Sequence, residues 1–295
     1  MKVKNWFKQL RAHQWVKNLL VFVPLLASFN FSVNKIALLA LAFVSFSLVS
    51  SAVYNSNDLL DIENDRVHTI KRNRPLAAGL ISARQVLAVA LVLLIAGLYL
   101  GYLVGFSFFL ILLAYLALTF IYAIWLKRFI LVDVIGLAGL YTLRVVAGGF
   151  AVAIDLSFWL VAFSVFFFLS LAFVKRYAEL ESMQKSGQDT VAGRGYSVHD
   201  MPLILVFGAA SAFLAVLIFA LYLDSSAVRE QYISPEIGWL AIPFLLYLIG
   251  RMWFKAHRGQ MNQDPVLFVL RDLPSIVTVV MMGIALVIAH LGIKL

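Results

Sequence analysis

The stretch IALLALAFVSFSLVSSAVYNSNDLLDIENDRVHTIKRNRP (36–75) places three aspartates, Asp58, Asp61 and Asp65, directly after about twenty apolar residues. Carboxylates at the point where a membrane helix meets water indicate a metal site, because charges are costly there. The nine residues after the last aspartate add four cations, namely Arg66, Lys71, Arg72 and Arg74. Since a divalent cation and cationic side chains together suit a polyphosphate, the stretch predicts a diphosphate bound through Mg2+.

The composition indicates an integral membrane protein. Hydrophobic residues make up 63% of the 295 residues and charged residues 13%, and the mean hydropathy is +0.94. Water-soluble domains have an apolar share of about 45–50%. The chain has no cysteine, so disulfides and thiolate metal sites are excluded.

The hydropathy pattern predicts an all-α integral membrane protein of about nine transmembrane helices. If its two long polar loops reflect an internal repeat, they would cap one central cavity at the cytoplasmic side. The predicted spans are 18–31, 35–57, 83–101, 105–126, 132–153, 157–175, 202–223, 236–254 and 274–292. The first is short, and a signal peptide is the alternative for it, but no convincing cleavage site follows. Residues 1–17 are expected to form an interfacial segment. The chain is expected to form one domain, 1–295, with cap loops at 58–82 and 176–201 whose placement indicates a pseudo-repeat.

The distribution of Lys and Arg predicts the orientation. Of the 24 basic residues, 20 fall in the N-terminal segment or in loops that follow even-numbered spans. Since cytoplasmic loops retain Lys and Arg, the N-terminus and the aspartates are predicted to face the cytoplasm, in the inner membrane. The same bias accounts for the net charge of +9, so the charge does not indicate a nucleic-acid partner.

The spacing of the acidic residues favours one metal-binding face. Asn57, Asp61 and Asp65 recur at every fourth position, and Asp58 precedes Asp65 by seven, so on a helix all four side chains point to one side. Hard oxygen ligands on one face suit Mg2+, which takes one or two carboxylates and completes its shell with water and substrate phosphates. The alternative is a solvated helix end with ordinary charges.

Arg144 lies about twelve residues into the fifth predicted span. A guanidinium at that depth needs an anionic partner, backbone acceptors or a water-filled cavity, which makes it a candidate functional residue. The alternative is a buried ion pair with Asp133 or with one of the motif carboxylates. Gly148 and Gly149, which follow it, are expected to allow close packing of helices.

Further polar side chains are predicted at the same face of the membrane. They lie in YAIWLKRFILVD (122–133), with Tyr122, Lys127 and Asp133, and in KRYAEL (175–180), with Lys175, Arg176 and Glu179. Each could bind phosphate, and the alternative is that long cationic side chains only extend to the interface. The five histidines, including His68, have no metal-ligand spacing.

Six stretches together resemble the UbiA superfamily of intramembrane prenyltransferases, and within it the branch of decaprenyl-phosphate phosphoribosyltransferases. They are RAHQWVKN (11–18), NDLLDIENDRVHTIKRNRPLAAG (57–79), YAIWLK (122–127), LRVVAGG (143–149), KRYAEL (175–180) and the run from Arg251 to Pro265. Members that prenylate aromatic rings usually carry a second aspartate-rich motif in the second loop. This chain has KRYAELESMQ (175–184) there instead, which argues against an enzyme that prenylates an aromatic ring.

The resemblance implies transfer of a 5-phosphoribosyl group from phosphoribosyl pyrophosphate to a polyprenyl phosphate, with Mg2+ as cofactor. It implies that Asp58, Asp61 and Asp65, with Asn57, hold Mg2+ and pyrophosphate. Four basic residues would bind the donor: Arg66, Lys71, Arg72 and Arg74. Lys175, Arg176 and Glu179 would close over it from the second loop. A third set would place the acceptor phosphate and the ribose: Gln14, Lys17, Asn18, Tyr122, Lys127 and Arg144. Asp133 is a further predicted substrate-binding residue.

Two alternative functions remain at this point. One is a UbiA-type enzyme that joins a prenyl diphosphate to an aromatic or other small acceptor, with the first motif binding the donor diphosphate. The other is a transporter, which would place its charged site near the midplane of the membrane. Almost all the polar residues of this chain are predicted at one face, which argues against transport.

Overall fold

The computed structural model describes residues 2–67, 71–187, 189, 193–261 and 264–292. Within these residues every regular element is a helix, and the chain forms fourteen α-helices. They are α1 Lys2–Gln9, α2 Val23–Ser28, α3 Val33–Leu60, α4 Ile62–Val67, α5 Ala83–Val104, α6 Phe106–Ile124, α7 Val132–Ala151, α8 Phe158–Lys185, α9 Met201–Leu223, α10 Ser226–Gln231, α11 Pro235–Gly238, α12 Ala241–His257, α13 Pro265–Val269 and α14 Leu273–Leu291. The predicted all-α class is therefore confirmed. His68 lies outside the described residues, as do parts of both predicted cap loops.

Eight segments of the described chain are long and apolar enough to cross a membrane. They contain α3, α5, α6, α7, α8, α9, α12 and α14, and they coincide with eight of the nine predicted spans. The remaining one, 18–31, overlaps a 3-10 helix, Ala12–Phe22, that leads into α2. The 11 residues of the 3-10 helix rise about 2 Å each, and the 6 residues of α2 rise about 1.5 Å each. Together they extend over about 31 Å, close to the thickness of a hydrocarbon core.

The helices divide into two compact units. Unit 1 contains Met1–Ile124 and Leu143–Leu156, and unit 2 contains Trp125–Thr142 and Ser157–Leu295. In unit 1, α3 packs against α5, and Ser45 Oγ donates a hydrogen bond of 2.8 Å to the carbonyl of Gly97. Phe46 contacts Tyr115 edge-on, with ring centroids 5.0 Å apart. The polar side chain holds α3 to α5, and the aromatic pair holds it to α6.

The 3-10 helix of unit 1 presents every third residue to the same side, because it has three residues per turn. Trp15 donates to Ser51 Oγ at 2.9 Å, and Asn18 donates to Ser47 Oγ at 3.1 Å, both on α3. Val21 continues the series, and its carbonyl lies against Gly148, where an added Cβ would be only 1.9 Å from the oxygen. The predicted role of this glycine in close packing is therefore confirmed.

Unit 2 repeats a local packing feature of unit 1. Helices α3 and α8 both have 28 residues and both begin after a serine N-cap, Ser32 and Ser157. The thirteenth residue of α8 is Ser170, which donates a hydrogen bond of 2.9 Å to the carbonyl of Gly208 on α9, as Ser45 does to Gly97. An internal duplication predicts such a shared feature.

An ion pair fixes the start of α14 in unit 2. Arg251 on α12 donates two hydrogen bonds, of 2.7 and 2.8 Å, to the two carboxylate oxygens of Asp272, which is the N-cap of α14. Ser275 donates to the same carboxylate at 2.6 Å. The hydrogen bonds from Arg251, and then those from Ser275, hold the pKa of Asp272 well below its ordinary value.

Candidate functional site

The predicted metal-binding motif lies where α3 ends. Helix α3 stops at Leu60, Asp61 is its C-cap, and α4 begins at Ile62. The amide of Asp61 bonds to the carbonyl of Asn57 at 3.0 Å, and the amide of Asp65 bonds to the carbonyl of Asp61 at 2.8 Å. The four-residue spacing is therefore kept across the junction, as the sequence predicted.

Asp58 and Asp65 are buried and converge on one cation. Their exposed fractions are 4% and 2%. Arg74 Nη1 lies 3.0 Å from Asp58 Oδ1 and also contacts Asp65 Oδ2. Two carboxylates seven residues apart therefore face the same point in space, and a guanidinium nitrogen lies between them.

Two residues of the N-terminal segment complete this group, and the sequence did not single out either. Arg11 Nη2 contacts Asp58 Oδ1 at 2.5 Å. The Gln9 side chain is almost fully buried and donates to Asp58 Oδ2 and to Asn55 Oδ1, both at 3.1 Å. The predicted interfacial segment therefore also supplies contacts to the motif.

The N-terminal helix also fixes the segment that carries Arg74. Lys8 Nζ donates to the carbonyl of Asn73 at 2.9 Å, and the amide of Leu76 donates to Gln9 Oε1 at 3.2 Å. A cavity of about 160 Å³ lies here, lined by residues that include Arg11, Asp58 and Arg74. It is smaller than the roughly 300–1,000 Å³ of drug-sized ligand sites, so it matches a diphosphate group rather than a whole lipid.

The remaining residues of the motif are more accessible. Asn57 and Asp61 are half-buried, while Lys71 and Arg72 are exposed on a short 3-10 turn, Lys71–Asn73. Arg66 is exposed and pairs with Glu63 at 3.0 Å. Arg66 therefore contacts its own helix rather than the buried carboxylates.

The donor chemistry of this group fits a divalent cation. Asp58 and Asp65 offer hard oxygen atoms, and they already share the positive charge of Arg74. Among the described residues, no three His, Cys, Asp or Glu side chains form a ready-made metal cage. Mg2+ does not need one, because it usually takes one or two carboxylates together with water and substrate phosphates.

A second polar group in unit 1 surrounds Arg144, which is 4% exposed. Its Nε donates to Asn18 Oδ1 at 3.0 Å, and its Nη2 donates to the Tyr115 hydroxyl at 2.8 Å. The guanidinium also lies 4.7 Å from the centre of the Tyr115 ring. Arg144 thus fixes the orientation of Asn18, and the neighbouring Lys17 is buried as well. Gln14 and Tyr122 are half-buried.

In unit 2 the predicted cation Arg176 lies in a closed network of charges. Arg176 is 1% exposed; its Nε lies 2.5 Å from Asp133 Oδ2, and its Nη1 contacts Glu179. Arg194 joins the same two carboxylates, at 3.2 Å from Asp133 and 3.3 Å from Glu179. Two guanidinium groups and two carboxylates therefore alternate and compensate one another inside unit 2. The sequence suggested Asp133 as a partner of Arg144, whereas the structure pairs it with Arg176 and Arg194.

Lys175 points to a different carboxylate, that of Asp264. Its Nζ lies 3.4 Å from Asp264 Oδ2, and the Tyr141 hydroxyl donates to both oxygens of Asp264 at 2.9 Å. Asp264 is also the N-cap of α13. Its only sequence signal is its place in the Asp-Pro pair that ends the run from Arg251 to Pro265. Lys127 is half-buried on the 3-10 turn Leu126–Arg128.

Asp133→Asn is expected to destabilise the protein by about 3 kcal/mol, because it leaves the buried guanidinium of Arg176 short of its counter-charge. The midpoint of unfolding in a titration with SDS measures this. Asp224→Asn is the matched control, since Asp224 pairs with Arg229 in an exposed ion pair, for which a loss of at most about 1 kcal/mol is expected. Equal shifts for the two variants would contradict a structural role for the network.

The helices and the carboxylate–arginine group define an integral membrane protein with a site suited to a metal-bound phosphate. The UbiA prenyltransferase family model matches residues 19–274, and the chain belongs to that family. It is therefore a membrane-embedded transferase, and the resemblance noted from the sequence is confirmed.

Three relatives match most of this chain. The uncharacterised protein y4nM of Sinorhizobium fredii is 39% identical over 92% of this chain, which spans only 53% of that protein. The nodulation protein NoeC of Azorhizobium caulinodans is 32% identical, over 94% of this chain and 90% of that protein. The decaprenyl-phosphate phosphoribosyltransferase of Mycobacterium tuberculosis is 31% identical, over 90% of this chain and 87% of that protein.

The fold also matches a solved structure. A UbiA homolog from Archaeoglobus fulgidus bound to GPP and Mg2+ has a TM-score of 0.71, with 95% of this chain and 98% of that chain covered. The sequence identity is 18%, so the match supports the shared fold alone.

Proposed function

We propose that the protein transfers a 5-phosphoribosyl group from phosphoribosyl pyrophosphate to a polyprenyl phosphate, with Mg2+ as cofactor, and releases pyrophosphate. One observation carries the proposal most strongly. The carboxylates at the end of α3 converge on one cation, whereas the corresponding end of α8 carries a network in which Arg176 and Arg194 compensate Asp133 and Glu179. This arrangement suits one metal-bound pyrophosphate. The similarity to decaprenyl-phosphate phosphoribosyltransferases supports the choice of donor and acceptor.

The reaction needs charge stabilisation rather than a covalent nucleophile. The bond from the anomeric carbon of the ribose to a pyrophosphate oxygen breaks, and its electron pair leaves with pyrophosphate. An oxygen of the acceptor phosphate then forms the new bond to that carbon. The acceptor is already an anion, so no general base is required.

The residues of unit 1 have distinct proposed roles. Asp58, Asp61 and Asp65, with Asn57, would hold Mg2+, which would supply positive charge to neutralise the departing pyrophosphate. Arg74 donates to the same pyrophosphate once it leaves the carboxylates. Once bound to the pyrophosphate, the guanidinium would stabilise the negative charge that develops there in the transition state.

The proposed donor contacts also include Arg66, Lys71 and Arg72. The proposed acceptor contacts are Gln14, Lys17 and Asn18, with Arg144 as a positioning residue that orients Asn18. Four residues stay predicted substrate contacts: Tyr122, Lys127, Lys175 and Glu179. Asp133 and Arg176 are buried and ion-paired, which favours a positioning role for these two. We further propose that the site faces the cytoplasm, as the distribution of Lys and Arg indicates.

The alternative donor is a prenyl diphosphate, with an aromatic or other small acceptor. The solved Archaeoglobus homolog was bound to GPP, which favours keeping this alternative. Transport has no support from membership of a prenyltransferase family.

Two parallel reactions with different donor and acceptor pairs test the proposal. Purified protein receives Mg2+ with labelled phosphoribosyl pyrophosphate and a polyprenyl phosphate, or with geranyl diphosphate and an aromatic acid. The expected result is a labelled phosphoribosyl lipid in the first reaction and no product in the second. Product from the second reaction alone would assign the protein to the prenyl-diphosphate branch.

A further inference from the structure

A groove runs along an exposed face of α12 in unit 2. It has a volume of about 530 Å³, and α12 lies within a segment that is long and apolar enough to cross a membrane. Tyr247, Arg251, Phe254 and Arg258 line it at intervals of four, three and four residues, so they form one stripe of the helix. Tyr247 and Phe254 are 50% and 64% exposed, which places their rings toward lipid.

The end of the groove near the helix C-terminus carries two cations without a carboxylate partner in the described chain (2–67, 71–187, 189, 193–261, 264–292). Lys255 Nζ donates to the neutral Gln260 side chain at 2.7 Å, and Arg258 lies 5.7 Å from the centre of the Phe254 ring. Arg251, by contrast, is compensated by Asp272. The favourable position of cations at a helix C-terminus explains why Lys255 and Arg258 are tolerated there, but it does not explain the groove beside them.

Gly250 forms a notch in the wall of the groove. A Cβ at this position would meet no atom within 4 Å, so neither helix packing nor a positive φ requires a glycine here. Glycine in a helix interior costs about 1 kcal/mol relative to alanine. A ligand group that fills the notch would account for the missing side chain.

We propose that this groove binds an anionic phospholipid of the surrounding bilayer, independently of the donor and acceptor substrates. The lipid phosphate contacts Lys255 and Arg258, the glycerol region lies over Gly250, and an acyl chain follows the helix past Tyr247. From position 246 to position 258 the helix rises about 18 Å, which matches a headgroup with the upper part of an acyl chain. A free phosphate would use only the basic end of this length.

The expected selectivity follows from the two cations. Each juxtamembrane Lys or Arg strengthens binding to anionic lipid by about fivefold, so the pair should favour an anionic headgroup over a zwitterionic one by about 25-fold. The preference should fall as ionic strength rises, because the rim of the groove is open to water.

A local quenching experiment tests this, and the absence of natural cysteine makes it practical. A fluorophore is attached to Leu246→Cys at the apolar end of the groove, and spin-labelled phosphatidylglycerol or phosphatidylcholine is titrated into phosphatidylcholine nanodiscs that hold the whole chain. We expect half-maximal quenching at about 25-fold lower content of the anionic lipid. The same label at Leu91→Cys, an exposed position on α5, should not distinguish the two lipids.

Three variants make the result specific. The pair Lys255→Gln and Arg258→Gln should abolish the preference at Leu246→Cys, and Gly250→Leu should weaken it although every charge is kept. Arg84→Gln removes an exposed cation at the start of α5 and should leave the preference unchanged. Equal quenching by both lipids at Leu246→Cys, or a preference that survives the double substitution, would overturn the proposal. So would displacement of the quencher by polyprenyl phosphate but not by unlabelled phosphatidylglycerol.

Discussion

Asp65→Asn is expected to lower kcat/KM for the donor by about 1,000-fold, because one of the two buried carboxylates that would hold Mg2+ is lost. Asp65 is 2% exposed and lies against the same guanidinium nitrogen as Asp58. An asparagine has nearly the same shape but only one neutral oxygen, so the Mg2+ dependence should also shift to higher concentration. The measurement is the rate of phosphoribosyl transfer over a range of Mg2+ concentrations.

Glu63→Gln is the matched control for this substitution. Glu63 lies two residues away on the same short helix, but its side chain is 79% exposed and pairs with Arg66. Its loss should change the rate by less than about twofold, because exposed ion pairs contribute little. If Asp65→Asn and Glu63→Gln had the same activity and the same Mg2+ dependence, the metal assignment at the end of α3 would be wrong.

The motif carboxylates were predictable because their signal is local. Asp58 and Asp65 are separated by two helical turns, so the helix period alone places them on one side, and the apolar run before them marks the membrane boundary. The structure agrees, since Arg74 contacts both. A junction between α3 and α4 at Asp61 does not disturb this spacing, because the backbone hydrogen bonds continue through it.

Gln9 and Arg11 show where sequence reasoning failed. Both lie in a segment whose aromatic and basic residues predict an interfacial helix, and that pattern contains nothing about a contact with Asp58 more than forty residues later. Arg11 has a left-handed backbone, φ 51°, at the junction between α1 and the 3-10 helix. A non-glycine residue seldom adopts this conformation, and no sequence pattern indicates it at Arg11.

Arg176 illustrates a second limit. The KRYAEL stretch predicted a cation displayed for phosphate, and Arg176 is instead enclosed by Asp133, Glu179 and Arg194. Whether a cation is displayed or compensated depends on contacts between helices that are distant in sequence. Asp133 lies in the first turn of α7 and Arg176 follows the apolar part of α8, so only the packing of unit 2 reveals the pair.

Arg74→Gln is expected to have opposite effects on two ligands of the same site. Arg74 Nη1 lies between Asp58 and Asp65, which is where a divalent cation would have to enter. The apparent affinity for Mg2+ is proportional to the fraction of molecules in which the carboxylates are accessible, and a guanidinium bound to them lowers that fraction. Removal of the guanidinium should therefore strengthen Mg2+ binding about tenfold, as measured by calorimetry without donor. The KM for the donor should rise, because the pyrophosphate loses a contact.

Arg72→Gln separates this exchange from a general effect of charge. Arg72 lies two residues away and is exposed. Its substitution removes the same charge from the region but leaves Arg74 between the two carboxylates. Because exposed charges are screened, Mg2+ affinity should change by less than about twofold. Arg74→Lys keeps the charge but has no planar fork to bridge two carboxylates, and an intermediate Mg2+ affinity is expected. Weaker Mg2+ binding in Arg74→Gln would mean that Arg74 supports the metal instead of competing with it. Stronger Mg2+ binding together with a raised KM for the donor in Arg74→Gln would mean that the Arg74 guanidinium binds the carboxylates and the pyrophosphate in turn. Entry of Mg2+ would then release Arg74, which becomes available to the donor.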